Sequence, residues 1–218
     1  MNGFIHSPII LPKVERISEN GKRLYLTPSG EKYPSVTSVT SLGSEDSIQE
    51  WKDRVGEEEA TRVSNRASSR GTQIHTFCED WLNNKPVVPD MFDRDMWNKL
   101  KPTLNDISNI RGLETMLYSH KLELAGTADC IADYKGELSL IDFKTSGKLK
   151  QKEWISSYFI QTACYSAMIA EMTGILPMKL VILIAVDDHV PQIFVENTMD
   201  WLPKAIQIRE EFRKIKGY

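Results

Sequence analysis

With 218 residues, 41% hydrophobic and 26% charged, the chain has the material for one substantial core, or one core with a small appendage. Its formal charge of −3 argues against a protein that coats nucleic acid by bulk attraction, yet leaves room for an acidic metal site and a local groove of Lys and Arg. No run approaches the roughly 18 apolar residues of a membrane span, the first residues lack the basic-then-apolar order of a secretory signal, and Cys78, Cys130 and Cys164 are too scattered for a disulfide framework or a zinc site. A cytosolic or comparable compartment is therefore expected, with no membrane partner and no secretion.

In chain order, residues 14–27 alternate around Asn20-Gly21, a strong hairpin signal. The segment Tyr33-Pro-Ser-Val-Thr-Ser-Val-Thr leads into a polar helix-forming region over about 46–83, in which Ile48, Trp51 and Val55, then Ile74, Phe77, Cys78 and Trp81, keep a helical spacing. A third helix is predicted over 90–104, interrupted by Pro102. Strands follow over 113–119, 122–133 and 138–144, then a basic loop over 148–152. Over 153–172, Ile155, Tyr158, Phe159, Thr162, Tyr165, Ser166 and Ile169 trace one helix face, which Gly174 and Pro177 bring to an end. Two more strands, 179–186 and 192–196, precede an amphipathic helix over 200–214. This order predicts an α/β fold, a central mixed sheet flanked by helices, with 1–45 as an N-terminal hairpin and extension and 46–218 as the main unit.

The chemistry concentrates in the stretch from Gly126 to Lys144. If Lys135-Gly136 forms a two-residue turn, Tyr134 faces Glu137, and counting back along both strands sets Asp129 opposite Asp142. Cross-strand Cβ atoms are then about 5 Å apart and the like charges repel. A divalent cation bridging both carboxylates removes that repulsion. Lys144, two residues past Asp142, emerges on the same sheet face. Changing the loop by one residue would put the aspartates on opposite faces. Acid, acid and ammonium together suit metal-assisted cleavage of a phosphodiester.

His75 and Glu79 stand one helical turn apart, beside the apolar stripe, so His75 is expected half-buried, where it could reach a metal. Glu79 could hold its second ring nitrogen or a second ion. Gln161 and Tyr165 are likewise four apart, on the helix that follows the hairpin. Arg62, Arg66 and Arg70 form a four-spaced stripe that either contacts phosphates or pairs with Glu57, Glu58 and Glu59. Lys148, Lys150 and Lys152 could guide a phosphate backbone or be ordinary loop lysines.

Taken together, Gly71-Thr-Gln-Ile-His75, Gly126-Thr-Ala-Asp129, Ile141-Asp142-Phe-Lys144 and Gln161-Thr-Ala-Cys-Tyr165 resemble the ordered motifs of the PD-(D/E)xK nuclease superfamily, in particular its RecB-like branch. Tyr33-Pro-Ser-Val-Thr and Trp51-Lys-Asp-Arg-Val-Gly56 look most like the mitochondrial genome-maintenance and phage exonucleases within that branch. The resemblance implies a restriction-endonuclease-like core. It also implies Mg²⁺ or Mn²⁺ bound by His75, Asp129, Asp142 and the Phe143 carbonyl, with Lys144 acting on the attacking water and on phosphorane charge. Gln161 and Tyr165 would touch the DNA strand, with Arg66 and Arg70 as further nucleic-acid-binding candidates. The cysteines do not match the four of the iron–sulfur members, so no cluster is expected. No helicase domain accompanies the motifs, so unwinding would fall to a helicase or replication partner. The setting would be a bacterial or phage-infected cell or an organellar matrix.

The expected activity is exonucleolytic, on single-stranded DNA or DNA ends. The alternatives are a structure- or site-specific endonuclease, a non-catalytic nucleic-acid-binding module on a nuclease fold, and an acidic protein-interaction domain.

Overall fold

Asn20 and Gly21 both take positive φ and join β1 (Glu15–Glu19) to β2 (Lys22–Leu26) in antiparallel register. A third strand, β3 (Lys32–Pro34), completes a small sheet in the computed structural model, which describes residues 3–42 and 45–217. Ser35 then caps α1 (Val36–Thr40), its side chain accepting from the Thr37 N–H. Neither β3 nor α1 was expected from the sequence. Val36 and Val39 are fully buried in the main core, so this segment is stitched to the larger sheet. The expected division at 45/46 falls beside residues 43–44, which lie outside the described residues.

The long polar helical region is two helices, α2 (Glu45–Val55) and α3 (Glu57–Leu82). Gly56 separates them at φ 85°, a backbone state that only glycine adopts at no steric cost. The run Glu57-Glu58-Glu59 then places negative charge on the first turn of α3, where the helix dipole favours it. The helix expected over 90–104 is shorter. It comprises α4 (Arg94–Leu100) followed by a 3₁₀ turn at Lys101–Asp106 that begins at Pro102's turn, because proline removes a helical donor.

The second sheet holds β4 (Ile107–Ser119), β5 (Leu124–Tyr134), β6 (Glu137–Ser146), β7 (Lys179–Val186) and β8 (Gln192–Asn197), paired in that order. Only β6 and β7 run parallel. Their crossover is a 3₁₀ turn, Lys152–Ile155, and α5 (Ser156–Thr173), which ends at Gly174 in the left-handed region. The last element is α6 (Thr198–Lys216). The expected mixed sheet flanked by helices is therefore the fold observed.

One face of the sheet packs against α5, α6 and α1 through Phe159, Met168, Leu180, Ile182 and Trp201. The other packs against α3 and α4 through Ile74, Phe77, Trp97, Ile141 and Phe143. With both faces covered, β7 reads as the unbroken apolar run Lys179-Leu-Val-Ile-Leu-Ile-Ala-Val186, buried from Leu180 onward. Phe159 is fully buried and stacks on Trp201 at a centroid distance of 4.8 Å. Phe159→Ala is expected to cost about 3–5 kcal/mol of stability, as such truncations do in tight cores, measurable as a lowered urea midpoint with unchanged slope.

Candidate active site

Lys135 and Gly136 both have positive φ, 51° and 83°, the pair of signs that a type I′ hairpin turn requires. The β5–β6 register is Tyr134↔Glu137 through Cys130↔Ile141, as counted from the sequence. The ladder stops there. One position further, the carboxylate of Asp129 takes over, its Oδ2 accepting from the Phe143 N–H at 2.8 Å. On its other side, β5 pairs with β4 at Leu113↔Cys130 and Thr115↔Ala128, which sets Glu114 opposite Asp129. Glu114, Asp129 and Asp142 thus form one row across adjacent strands.

α3 reaches this row from one face of the sheet and α5 from the other. His75, half-buried, holds Nδ1 3.5 Å from Asp129 Oδ2, and its ring meets Phe143 edge-on at 6.2 Å. Donor atoms of His75, Glu114 and Asp129 all lie within 4.8 Å of one another, a spacing compatible with a shared cation. Glu114 joins them from a left-handed backbone, φ 45°, which is uncommon for a residue with a side chain.

Asp142 is 1% exposed. Lys144 Nζ lies 2.8 Å from its Oδ1 and 2.6 Å from Oδ2, confirming that the two side chains share a face. The second contact lacks hydrogen-bond geometry, so Oδ2 is a buried carboxylate oxygen with no hydrogen bond. Gln161 Nε2 reaches Asp142 Oδ1 and Tyr165 OH, each at 3.4 Å. Tyr165 lies so close to β5 that a Cβ at Gly126 would meet its Cε1 at 2.8 Å, which accounts for a glycine there. Burial pushes the Asp142 carboxyl up and the nearby Asp129 adds to this, against the opposing pull of Lys144. Burial works to lower the Lys144 ammonium, but Asp142 and Asp129 outweigh it and the net direction is up. Truncating Lys144 would leave a buried anion without its counter-charge, at a cost of about 3–5 kcal/mol. Asp142→Asn also takes the counter-charge from the Lys144 ammonium, but it keeps the side-chain volume and an oxygen that can accept from Lys144, which makes it the gentler probe.

The arginine stripe of α3 divides. Arg62 pairs with Glu59, and Arg70 bonds Asp187 at 2.5 Å with Asp93 3.7 Å away. Arg66 lines an open cleft of about 320 Å³ between α3 and the end of β6, shared with Thr145 and Ser146 next to Lys144. The thiols of Cys78, Cys130 and Cys164 are free and buried in the core.

The profile of the PD-(D/E)XK nuclease superfamily matches residues 44–214, most of the chain. The chain belongs to that superfamily. Its nucleases use divalent metals, and the imidazole of His75 with the carboxylates of Glu114 and Asp129 fits such an ion; Asp142, paired with Lys144, lies outside that group of donors. Mitochondrial genome maintenance exonuclease 1 of Homo sapiens is 28% identical over 120 residues, covering 51% of this chain and 34% of the relative. The Xenopus tropicalis protein of that name is 30% identical over 111 residues, covering 47% and 32%. The chain thus spans about a third of the length of these curated relatives. A candidate exonuclease from Eubacterium rectale shares the fold, with TM-score 0.54 and 14% identity, covering 82% of this chain and 77% of that structure.

Glu114 is the residue the sequence reading missed. Placing the β4–β5 turn between 119 and 122 pairs Glu114 with Thr127, whereas the observed Ser119↔Leu124 register pairs it with Asp129. Glu114 is exposed as a residue, but partial desolvation of its carboxyl and the charge of Asp129 push it up to about 7 from 4.5. A raised folded-state value means that protonation favours the fold. The stability so gained is complete below 4.5 and is lost as pH climbs through about 7. Glu114→Gln is expected to flatten the fall in metal-free Tm across that window and to diminish the Tm gain on adding Mn²⁺, both readable by differential scanning fluorimetry.

Proposed function

We propose that the chain is a divalent-metal-dependent deoxyribonuclease that degrades single-stranded DNA from its ends. The observation that carries this reading is the row of Glu114, Asp129 and Asp142 across β4, β5 and β6, with His75 over one end and the Lys144 ammonium against the other. Three carboxylates so placed repel one another, and a shared cation relieves at neutral pH what protonation would otherwise relieve.

In this reading His75, Asp129, Asp142 and the Phe143 carbonyl hold Mg²⁺ or Mn²⁺, and Glu114 joins them. When bound, the ion supplies a water of lowered pKa and offsets charge on the phosphate. Lys144 is held at a fixed place by Asp142 and by the Tyr158 ring, 5.2 Å from Nζ. From there it orients the attacking water and stabilises negative charge as the phosphorane develops. Gln161 restrains Asp142 and, with Tyr165, shapes the wall that the strand passes. Arg66 takes a flanking phosphate in the cleft, while Arg70, tied to Asp187 and Asp93, holds that cleft's wall.

The exonuclease relatives favour action from ends over internal cutting. A helicase or replication factor would supply single strands from duplex DNA. The setting that suits this activity is a bacterial or phage-infected cell, or an organellar matrix as in the mitochondrial relatives.

End-labelled single- and double-stranded oligonucleotides, together with circular single strands, test the reading in Mg²⁺, Mn²⁺ or EDTA. Linear single strands should shorten with either metal, circles should persist, and EDTA should stop the reaction. Asp142→Asn should lower turnover by about 10²- to 10⁴-fold while leaving the circular dichroism spectrum unchanged. Wild-type turnover by that variant would refute the assignment, and cut circles would replace the exonuclease with an endonuclease.

A further inference from the structure

One stripe of α5 leads from the site to the surface. Tyr165 lies deepest, against Gly126; Gln161, one turn earlier, reaches Asp142; Tyr158, a further turn back, has its ring beside the Lys144 ammonium. Four residues before Tyr158, Trp154 lies on the 3₁₀ turn that leads into the helix and is 58% exposed. On the adjacent strip Ile155 and Phe159 are fully buried, so the packing of the crossover does not use the Trp154 ring. Exposure alone does not mark the Trp154 ring; its place beside the site's helix and among lysines does. Lys148 and Lys150 precede it, and neither makes an ion pair among the described residues. Lys152 is tied to Glu196.

We infer that Trp154 is a base-stacking platform for the single strand leaving the site along α5, with Tyr158 between it and the scissile phosphate and Lys148 and Lys150 alongside the backbone. The four residues from Tyr158 back to Trp154 span roughly 6–8 Å along the axis, about the reach of one to two nucleotides beyond Tyr158. An exposed aromatic face flanked by lysines matches the chemistry that single-stranded DNA offers, an unstacked base and a phosphate charge. A duplex hides its base faces and cannot use the platform. This rests on the nuclease reading for the direction of the strand, but not for the contact itself.

The test is equilibrium binding in EDTA, by fluorescence anisotropy, of labelled oligonucleotides of about 12 nucleotides, within the usual range for such sites. One carries normal bases and the other is abasic throughout. The wild-type chain should bind the base-bearing strand roughly 5- to 150-fold more tightly. Trp154→Ala should raise the base-bearing Kd to the abasic one, and Trp154→Phe should retain most of the preference. Equal wild-type affinities, an unchanged ratio in Trp154→Ala, or a parallel weakening of both strands would overturn the platform. No metal is present and no bond is cleaved, so the outcome is separate from that of the hydrolysis assay: a chain that stacks bases yet never cuts DNA loses the nuclease reading alone.

Discussion

The structure is organised around a negative charge that it buries. Asp142 sits in the middle of a sheet covered on both faces, next in line to Asp129 and Glu114, and an isolated carboxylate there would be expensive. Two devices meet that cost. Lys144, two residues along the same strand, supplies a fixed ammonium, and Gln161 donates from the crossover helix. Lys144 Nζ lies within 2.8 Å of both Asp142 oxygens, and the other two acids have His75 as their basic neighbour.

The topology follows from keeping that row in place. The parallel pairing of β6 with β7 requires a crossover, and the crossover is α5, which carries Gln161, Tyr165 and Tyr158 across the acids. On the opposite face, α3 packs through Ile74, Phe77 and Cys78 and thereby brings His75 to the sheet edge where Asp129 leaves its ladder. The N-terminal segment contributes packing: Val36 and Val39 close the core over α5, and Tyr25 and Val14 cover Ala125 at the base of β5. The left-handed backbone of Glu114, the abandoned ladder position at Asp129 and the glycine at 126 all lie within this small area. Local preference gives way there while the surrounding elements obey it, as expected of a functional site in a well-packed frame.

What could be read from the sequence was whatever a short-range rule determines. The β5–β6 register follows from a two-residue turn and a period of two, so Asp129, Asp142 and Lys144 could be aligned by counting. His75 could be placed because helical spacing beside an apolar stripe fixes its exposure. Glu114 could not, because the longer loop from His120 to Glu123 has no such rule and a two-residue shift moved its partner. The break at Gly56 escaped because polar residues on either side fit one helix as well as two, although the acid run after it was a usable sign of a new N-terminus. The fate of Arg70 depended on Asp187, far along the chain, and only the folded structure brings them together.

Crystals grown with Mn²⁺ and examined by anomalous scattering at the manganese edge would show whether this row of acids holds an ion. A manganese peak bonded to His75, Asp129 and Asp142 is expected, with Lys144 still beside Asp142. A site without manganese, or manganese held elsewhere while the row of acids stays vacant, would contradict it.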